Sequence, residues 1–456
     1  MHIHPDSSST APASVGPARL RQPSRAGGLT AAQHAAIRQQ LVLIPVYIWL
    51  GYMWWMFFTQ LPIGTAGSQT HAARDFVHFY AQGAITREHD ARSLYDIDAM
   101  AAVVDRVVPV RVDVHFPPVY GPQVGLLFAP LAALPYLHAL WMWLGMTIVG
   151  SAACAYVVWR TCPHLRNQRW TVAILTMAAP GLHFALSFGQ VPLLGLLCFT
   201  ALWLSLRADV PFMAGVAVGA LAYKPQLGVV AACVFVWTRE WRVVSGACLA
   251  ILTQAIAPLA YWGPAIFRGY LKAITALPQV INGMEPDKSL MHSWRGLLLH
   301  LGVPSTMALA LTMVVSLLTI AVAVHGWRRA GDLRLRFTLL IVATLLVDSH
   351  LYAYDLLLLT PALLVAWDWA EEHRRSTSDE PPVQVSAMRV QTAARPVLLF
   401  VYASPIVTIA LPWLPIQWSV VGFVMLAGGI AFTLMHARFH DHDLRPTRIV
   451  HSLTLP

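Results

Sequence analysis

Charge is scarce in this chain. Only 12% of its 456 residues are Asp, Glu, Lys or Arg, against 57% that are apolar. Soluble domains carry about a quarter charged residues, so this balance excludes an ordinary water-soluble globule and reads as an all-α polytopic membrane protein. Cysteine is also sparse. Five residues (Cys154, Cys162, Cys198, Cys233 and Cys248) lie mostly in or beside apolar runs without C-x-x-C spacing, so neither a disulfide framework nor a zinc site is expected. A phosphate-cradling Gly-rich loop, a metal-ligand spacing and a nucleophile elbow are all missing. Those absences argue against a soluble-type nucleotide-sugar fold and against hydrolase chemistry, and no cofactor or metal is expected. Residues 1–38 lack an apolar signal core and are rich in Ser, Pro, Ala and Arg, which reads as a disordered basic cytoplasmic tail.

What the chain does have is apolar length. Runs recur at 41–60, 138–159, 170–187, 191–206, 211–223, 226–238, 243–262, 305–326, 335–348, 351–369, 396–412 and 417–435. With about 20 residues needed per crossing, this predicts roughly twelve membrane spans, several of them short. The formal charge of +9 comes from basic residues between runs, such as Arg160, Arg166, Arg169, Arg207, Arg239, Arg242, Arg328, Arg334, Arg374 and Arg438. Such residues orient a chain toward the cytoplasm and meet anionic headgroups, so the partners expected are membrane lipids and not nucleic acid. An alternating path with both termini inside requires the Pro-rich stretch 117–135 to be broken or re-entrant. The membrane-embedded region is then 39–436, interrupted by a polar cytoplasmic linker at 371–395 and followed by a cytoplasmic tail at 437–456. On this path the loop 61–116 is extracytoplasmic, and its three- and four-residue apolar spacing predicts interfacial amphipathic helices.

Polar signals far apart in sequence fall on that same predicted face. Asp75, in Asp75-Phe76-Val77-His78-Phe79-Tyr80, would hold a carboxylate at the membrane surface, where it either pairs with Arg74, caps a following helix or serves as a general base. His350 lies in Asp348-Ser349-His350-Leu351-Tyr352-Ala353-Tyr354-Asp355 between two apolar runs, where polar groups are costly. Lys224 interrupts an apolar stretch before Pro225-Gln226, either snorkelling from a helix end or offering an ammonium to a phosphate. Gln190, after Gly189, joins two runs through a tight turn and is a candidate for binding. His115, Pro117, Pro118 and Tyr120 mark the entry to the broken element, a rigid turn more than a reactive one.

Taken together, Asp75-Phe76-x-x-Phe79-Tyr80, Leu94-Tyr95-Asp96, the stretch from Pro117-Pro118 through Leu127-Phe128-Ala129-Pro130-Leu131 to Pro135-Tyr136, Gly189-Gln190, Lys224-Pro225-Gln226 and the turn His350 to Asp355 resemble glycosyltransferase family 87. Each motif is weak alone; in this order over residues 41–370 they are fairly specific. The resemblance implies a bundle of the GT-C superfamily and metal-independent, inverting transfer of a hexose, mannose in that family, from a polyprenyl-phosphate sugar donor to a hydroxyl of a lipid or glycan acceptor. It implies Asp75 as base and His350 near the donor phosphate, with Lys224, Gln190, Tyr80 and Tyr354 as substrate-binding candidates, in the inner (plasma) membrane with the site facing outward. A flippase-like transporter or a non-catalytic subunit for lipid-linked sugars is the competing expectation, although no internal repeat is visible.

Overall fold

The computed structural model describes residues 31–60, 73–108, 119–284, 287–329, 331–376, 385–411, 413–414 and 416–436. Residues 1–30 and 437–456 of the expected tails, most of the centre of the 371–395 linker, and His115, Pro117 and Pro118 lie outside the described residues. The described residues divide into two units between Ile48 and Trp49. The described part of the first is the opening of a helix, α1 (Ala31–Gln60), which begins inside the stretch expected to be tail.

Secondary structure among the described residues is helical throughout. After α1 come α2 (Phe76–Arg87), α3 (Ile97–Val107) and the six-residue α4 (Gln123–Phe128). The run continues with α5 (Tyr136–Arg160), α6 (Arg169–Met177), α7 (Pro180–Phe188), α8 (Pro192–Arg207) and α9 (Pro211–Ala220). Next are α10 (Val229–Trp237), α11 (Trp241–Trp262), α12 (Ala265–Met284) and α13 (Trp294–His300). The last are α14 (Ser305–Arg328), α15 (Leu333–Val347), α16 (Leu359–Ser376), α17 (Val385–Ala410) and α18 (Trp418–His436). Proline opens α7, α8 and α9, where its missing N–H costs no intrahelical bond.

Each expected apolar run carries helix where described, but among the described residues six candidate spans are long and apolar enough to cross a membrane, with three shorter apolar helices beside them. Outer and inner spans differ sharply. In α11 only 17% of the apolar window is buried, whereas in the span Ala353–Arg374 the figure is 78%, which places that span in the interior. The innermost helix is α15, where Phe337 to Leu346 are enclosed on every side by α10, α14, α16 and α18. A helix apolar all round needs such cover from protein or lipid. The described part of 117–135 makes no continuous helix: α4 ends within two turns and a short 3₁₀ turn, Leu131–Ala133, follows.

Both long connections carry helix where described. The stretch 371–395 is helical where described, since α16 extends to Ser376 and α17 starts at Val385. Buried Glu371 meets Arg374 and Arg395 there, which supports the helical continuation. In the loop 61–116, α3 is amphipathic, burying Met100, Val103 and Val104, whereas α2 is enclosed along nearly its whole circumference. Its cover comes from α3, α4 and the turn after α4. Periodicity reveals one apolar face but not how many neighbours surround a helix.

One close approach sets the geometry of the polar face. Helix α7 lies against the 3₁₀ turn Ala353–Leu358, and a Cβ built on Gly181 would fall 2.1 Å from the Leu357 nitrogen. Backbone therefore meets backbone, and the end of α7 is fixed relative to Tyr354 and Asp355.

Candidate active site

Asp75 occupies the N-cap position of α2 but makes no capping bond with its side chain. The backbone around it is pinned instead to the end of α7: Ala73 N–H donates to the Ser187 carbonyl at 2.6 Å and Asp75 N–H to that of Phe188 at 2.9 Å. Ala73 adopts φ +55°, a left-handed conformation costly for a residue with a Cβ, and tertiary contacts hold it there. Facing it, α7 ends on Gly189 at φ +68°, which sends the chain back toward α8.

This turn delivers Gln190 to Asp75. Gln190 Nε2 donates to Asp75 Oδ2 at 2.7 Å, and its backbone carbonyl accepts from Trp143 Nε1 at 3.3 Å. Tyr120 hydroxyl donates to Gln190 Oε1 at 3.4 Å, so a chain of polar groups runs Tyr120, Gln190, Asp75. Burial pushes the Asp75 carboxyl up to about 6, although the Gln190 bond and the charges of Arg74 and His350 oppose that rise. Asp75 therefore holds its proton more tightly than an ordinary carboxylate.

Lys224 does not snorkel. It sits between two 3₁₀ turns, 4% exposed, and its ammonium reaches both oxygens of Asp355 at 2.7 and 2.6 Å. Burial alone would lower its proton affinity, but the Asp355 charge outweighs it and the lysine stays firmly protonated. The ammonium also lies 5.5 Å from the ring centroid of Tyr354. Tyr354 in turn packs against Phe188 at 6.1 Å and Tyr352 at 5.8 Å. Asp348, 1% exposed, accepts the His350 N–H through Oδ1 at 2.9 Å, while its Oδ2 has no partner among the described residues. Burial raises the proton affinity of that carboxyl.

The fold therefore brings Asp75, Gln190, Lys224, His350 and Tyr354 into one polar cluster. Tyr120 lies within electrostatic reach of Lys224, Asp355, Asp75 and Asp348 together. The His350 ring stands 5.3 Å from Tyr352. Tyr80 is placed differently: its hydroxyl donates to the Leu134 carbonyl at 2.8 Å and its ring meets Tyr136 edge-on at 5.2 Å. Tyr120, Asp348 and Asp355 enter the cluster although none was among the candidate site residues. Two aspartates flanking His350 between apolar runs were the available signal. Among the described residues no group of three or more His, Cys, Asp or Glu is arranged to hold a metal ion.

No curated protein and no solved structure matches the chain. The profile of glycosyltransferase family 87 matches residues 119–361, more than half of the sequence, including Tyr120, Gln190, Lys224, Asp348, His350 and Asp355. Asp75 precedes the matched region but is bonded directly to Gln190 within it. A helical chain with several membrane-length apolar helices and this match over more than half of the sequence give one conclusion: the chain is a membrane glycosyltransferase and belongs to glycosyltransferase family 87.

Proposed function

We propose that this glycosyltransferase moves a hexose, mannose in the first instance, from a polyprenyl-phosphate sugar to a hydroxyl of a lipid or glycan acceptor. The reaction is inverting and needs no metal. It takes place on the extracytoplasmic side of the inner membrane. The observation that carries the reading is Asp75, a carboxylate at a helix start that leaves its capping role unfilled, is bonded by Gln190 and has its proton affinity raised by burial to about 6.

In the reaction, Asp75 takes the proton of the acceptor hydroxyl as its oxygen attacks the anomeric carbon. The bond from that carbon to the phosphate oxygen breaks, and polyprenyl phosphate leaves with the electron pair. A single displacement inverts the anomeric centre. Gln190 holds the carboxylate in line, and a donor at the leaving oxygen stabilises its growing charge, the role given to His350. Lys224, Asp355 and Tyr354 form the floor beneath.

The test is incubation of the purified protein with a panel of polyprenyl-phosphate sugars. One donor is consumed with release of polyprenyl phosphate, and Asp75→Asn abolishes that consumption. Consumption of none across the panel would remove the donor assignment. For the membrane side, single cysteines at Gln226 and Ser349 in a cysteine-free background react with an impermeant thiol reagent in intact cells. Labelling only after lysis would reverse the orientation.

A further inference from the structure

The lysine of the cluster is poor ground for a phosphate. Lys224 is neutralised by both oxygens of Asp355 and is 4% exposed, so it presents no net positive charge outward. Asp348 adds a second buried carboxyl beside this pair, and the half-buried Asp75 lies nearby. Lys224 therefore offers an approaching phosphate diester, or the dianion left after transfer, no uncompensated positive charge.

Arg74 stands at the outer edge of the same wall. It precedes Asp75, is exposed, and holds its guanidinium 5.0 Å from the centroid of the Phe188 ring. Phe188 in turn touches Tyr354, so the cation rests on the aromatic wall that covers Lys224. Its backbone neighbours are bonded to Ser187 and Phe188, which fixes where the side chain begins. No carboxylate forms an ion pair with it among the described residues. A guanidinium over a ring face keeps edge N–H donors for planar recognition of phosphate oxygens.

On the reading above, we propose that Arg74, held by Phe188, binds the phosphate of the lipid-linked donor, and that Lys224 with Asp355 is a structural pair and does not contact that phosphate. Adjacent placement of Arg74 and Asp75 then sets the leaving group and the base on either side of one anomeric carbon.

The experiment measures binding of undecaprenyl phosphate to the full-length purified protein in nanodiscs, with phosphatidic acid and inorganic phosphate as parallel probes. Wild-type protein binds undecaprenyl phosphate, and Arg74→Gln weakens binding at least tenfold with an unchanged melting temperature. Arg74→Lys, which keeps the charge but loses the planar fork, falls between them. Raising the salt concentration weakens the wild type more than Arg74→Gln, because the lost interaction is ionic. In turnover the Arg74→Gln defect appears mainly in the KM for the lipid donor. Equal affinity of wild type and Arg74→Gln would overturn the assignment while leaving the donor reading intact. An equal loss toward phosphatidic acid would make Arg74 a general headgroup contact and also overturn it. Failure of the wild type to bind undecaprenyl phosphate at all would sink the donor reading and this inference with it.

Discussion

Helix α15 carries a charged cluster at each end, and the two are built on opposite terms. At its start Arg334 is shared among Asp332, Asp368 and Glu372, and Asp368 also accepts the backbone N–H of His164 at 2.8 Å. Asp332 and Glu372 keep 27% and 38% exposure, so water completes what the guanidinium leaves. At the other end, about 22 Å away along the helix, Lys224 and Asp355 have almost no exposure and Asp348 keeps an oxygen without a partner. The first arrangement uses both oxygens of Asp368 and the guanidinium of Arg334 to join α15, α16 and the turn before α6. The second leaves polar capacity unspent inside protein, and unspent buried polarity is found where a substrate or a proton is to be handled. Charge density alone would not separate the two ends; the state of the hydrogen bonds does.

The comparison is broken most directly at Asp75. Asp75→Asn preserves an acceptor for Gln190 but removes the proton acceptor, and transfer falls by about 10²- to 10⁴-fold while the melting temperature at neutral pH holds or rises, since the desolvated charge is gone. A variant retaining more than a tenth of the wild-type rate would exclude the base role. The two cations come next. Lys224→Met strands Asp355 and Asp348 in a dry environment and destabilises the fold by roughly 3–5 kcal/mol. Arg334→Met costs less, about 1–3 kcal/mol, because Asp332 and Glu372 rehydrate in place and buried Asp368 keeps the His164 N–H. Thermal unfolding of both variants checks the ranking, and adding Asp355→Leu to Lys224→Met recovers much of the first loss.

Smaller effects sharpen the picture. Because only the ionised carboxylate accepts a proton, kcat/KM rises about tenfold per pH unit and levels off above about 6, the value set by burial of Asp75. The same upward shift favours the folded state below pH 3.8, and that contribution is lost as the pH climbs through about 6. Gln190→Leu removes a bond that holds the carboxylate ionised, so the acidic limb of the pH profile moves upward by roughly one unit. A limb that stays in place would separate Gln190 from the titration of Asp75.

Much of this was legible in the chain. Apolar runs located the helices because a membrane-length segment leaves little choice of secondary structure. Asp75, Gln190, Lys224 and His350 stood out because polar groups between apolar runs are costly unless used. Burial around α2 was not legible, since its spacing resembles that of a surface helix. Nor was the bond between Lys224 and Asp355, which are 131 positions apart, so that neither residue's local context names the other. The isolated lysine therefore read as a free charge, and only tertiary structure shows its counter-ion. Tyr120 was hidden for a related reason: beside Pro117 and Pro118 it looked like part of a stiff turn, and its link to Gln190 spans 70 positions.

The contact at Gly181 has a mechanical consequence. Because α7 and the turn Ala353–Leu358 touch through their main chains, nothing compressible lies between them, and the two halves of the pocket they carry translate together. Gly181→Ala would act as a wedge, prying Gln190 and Phe188 away from Tyr354 and Asp355 without altering a single polar atom. Activity would then be lost to a change in spacing, at a position no inspection of reactive groups would choose.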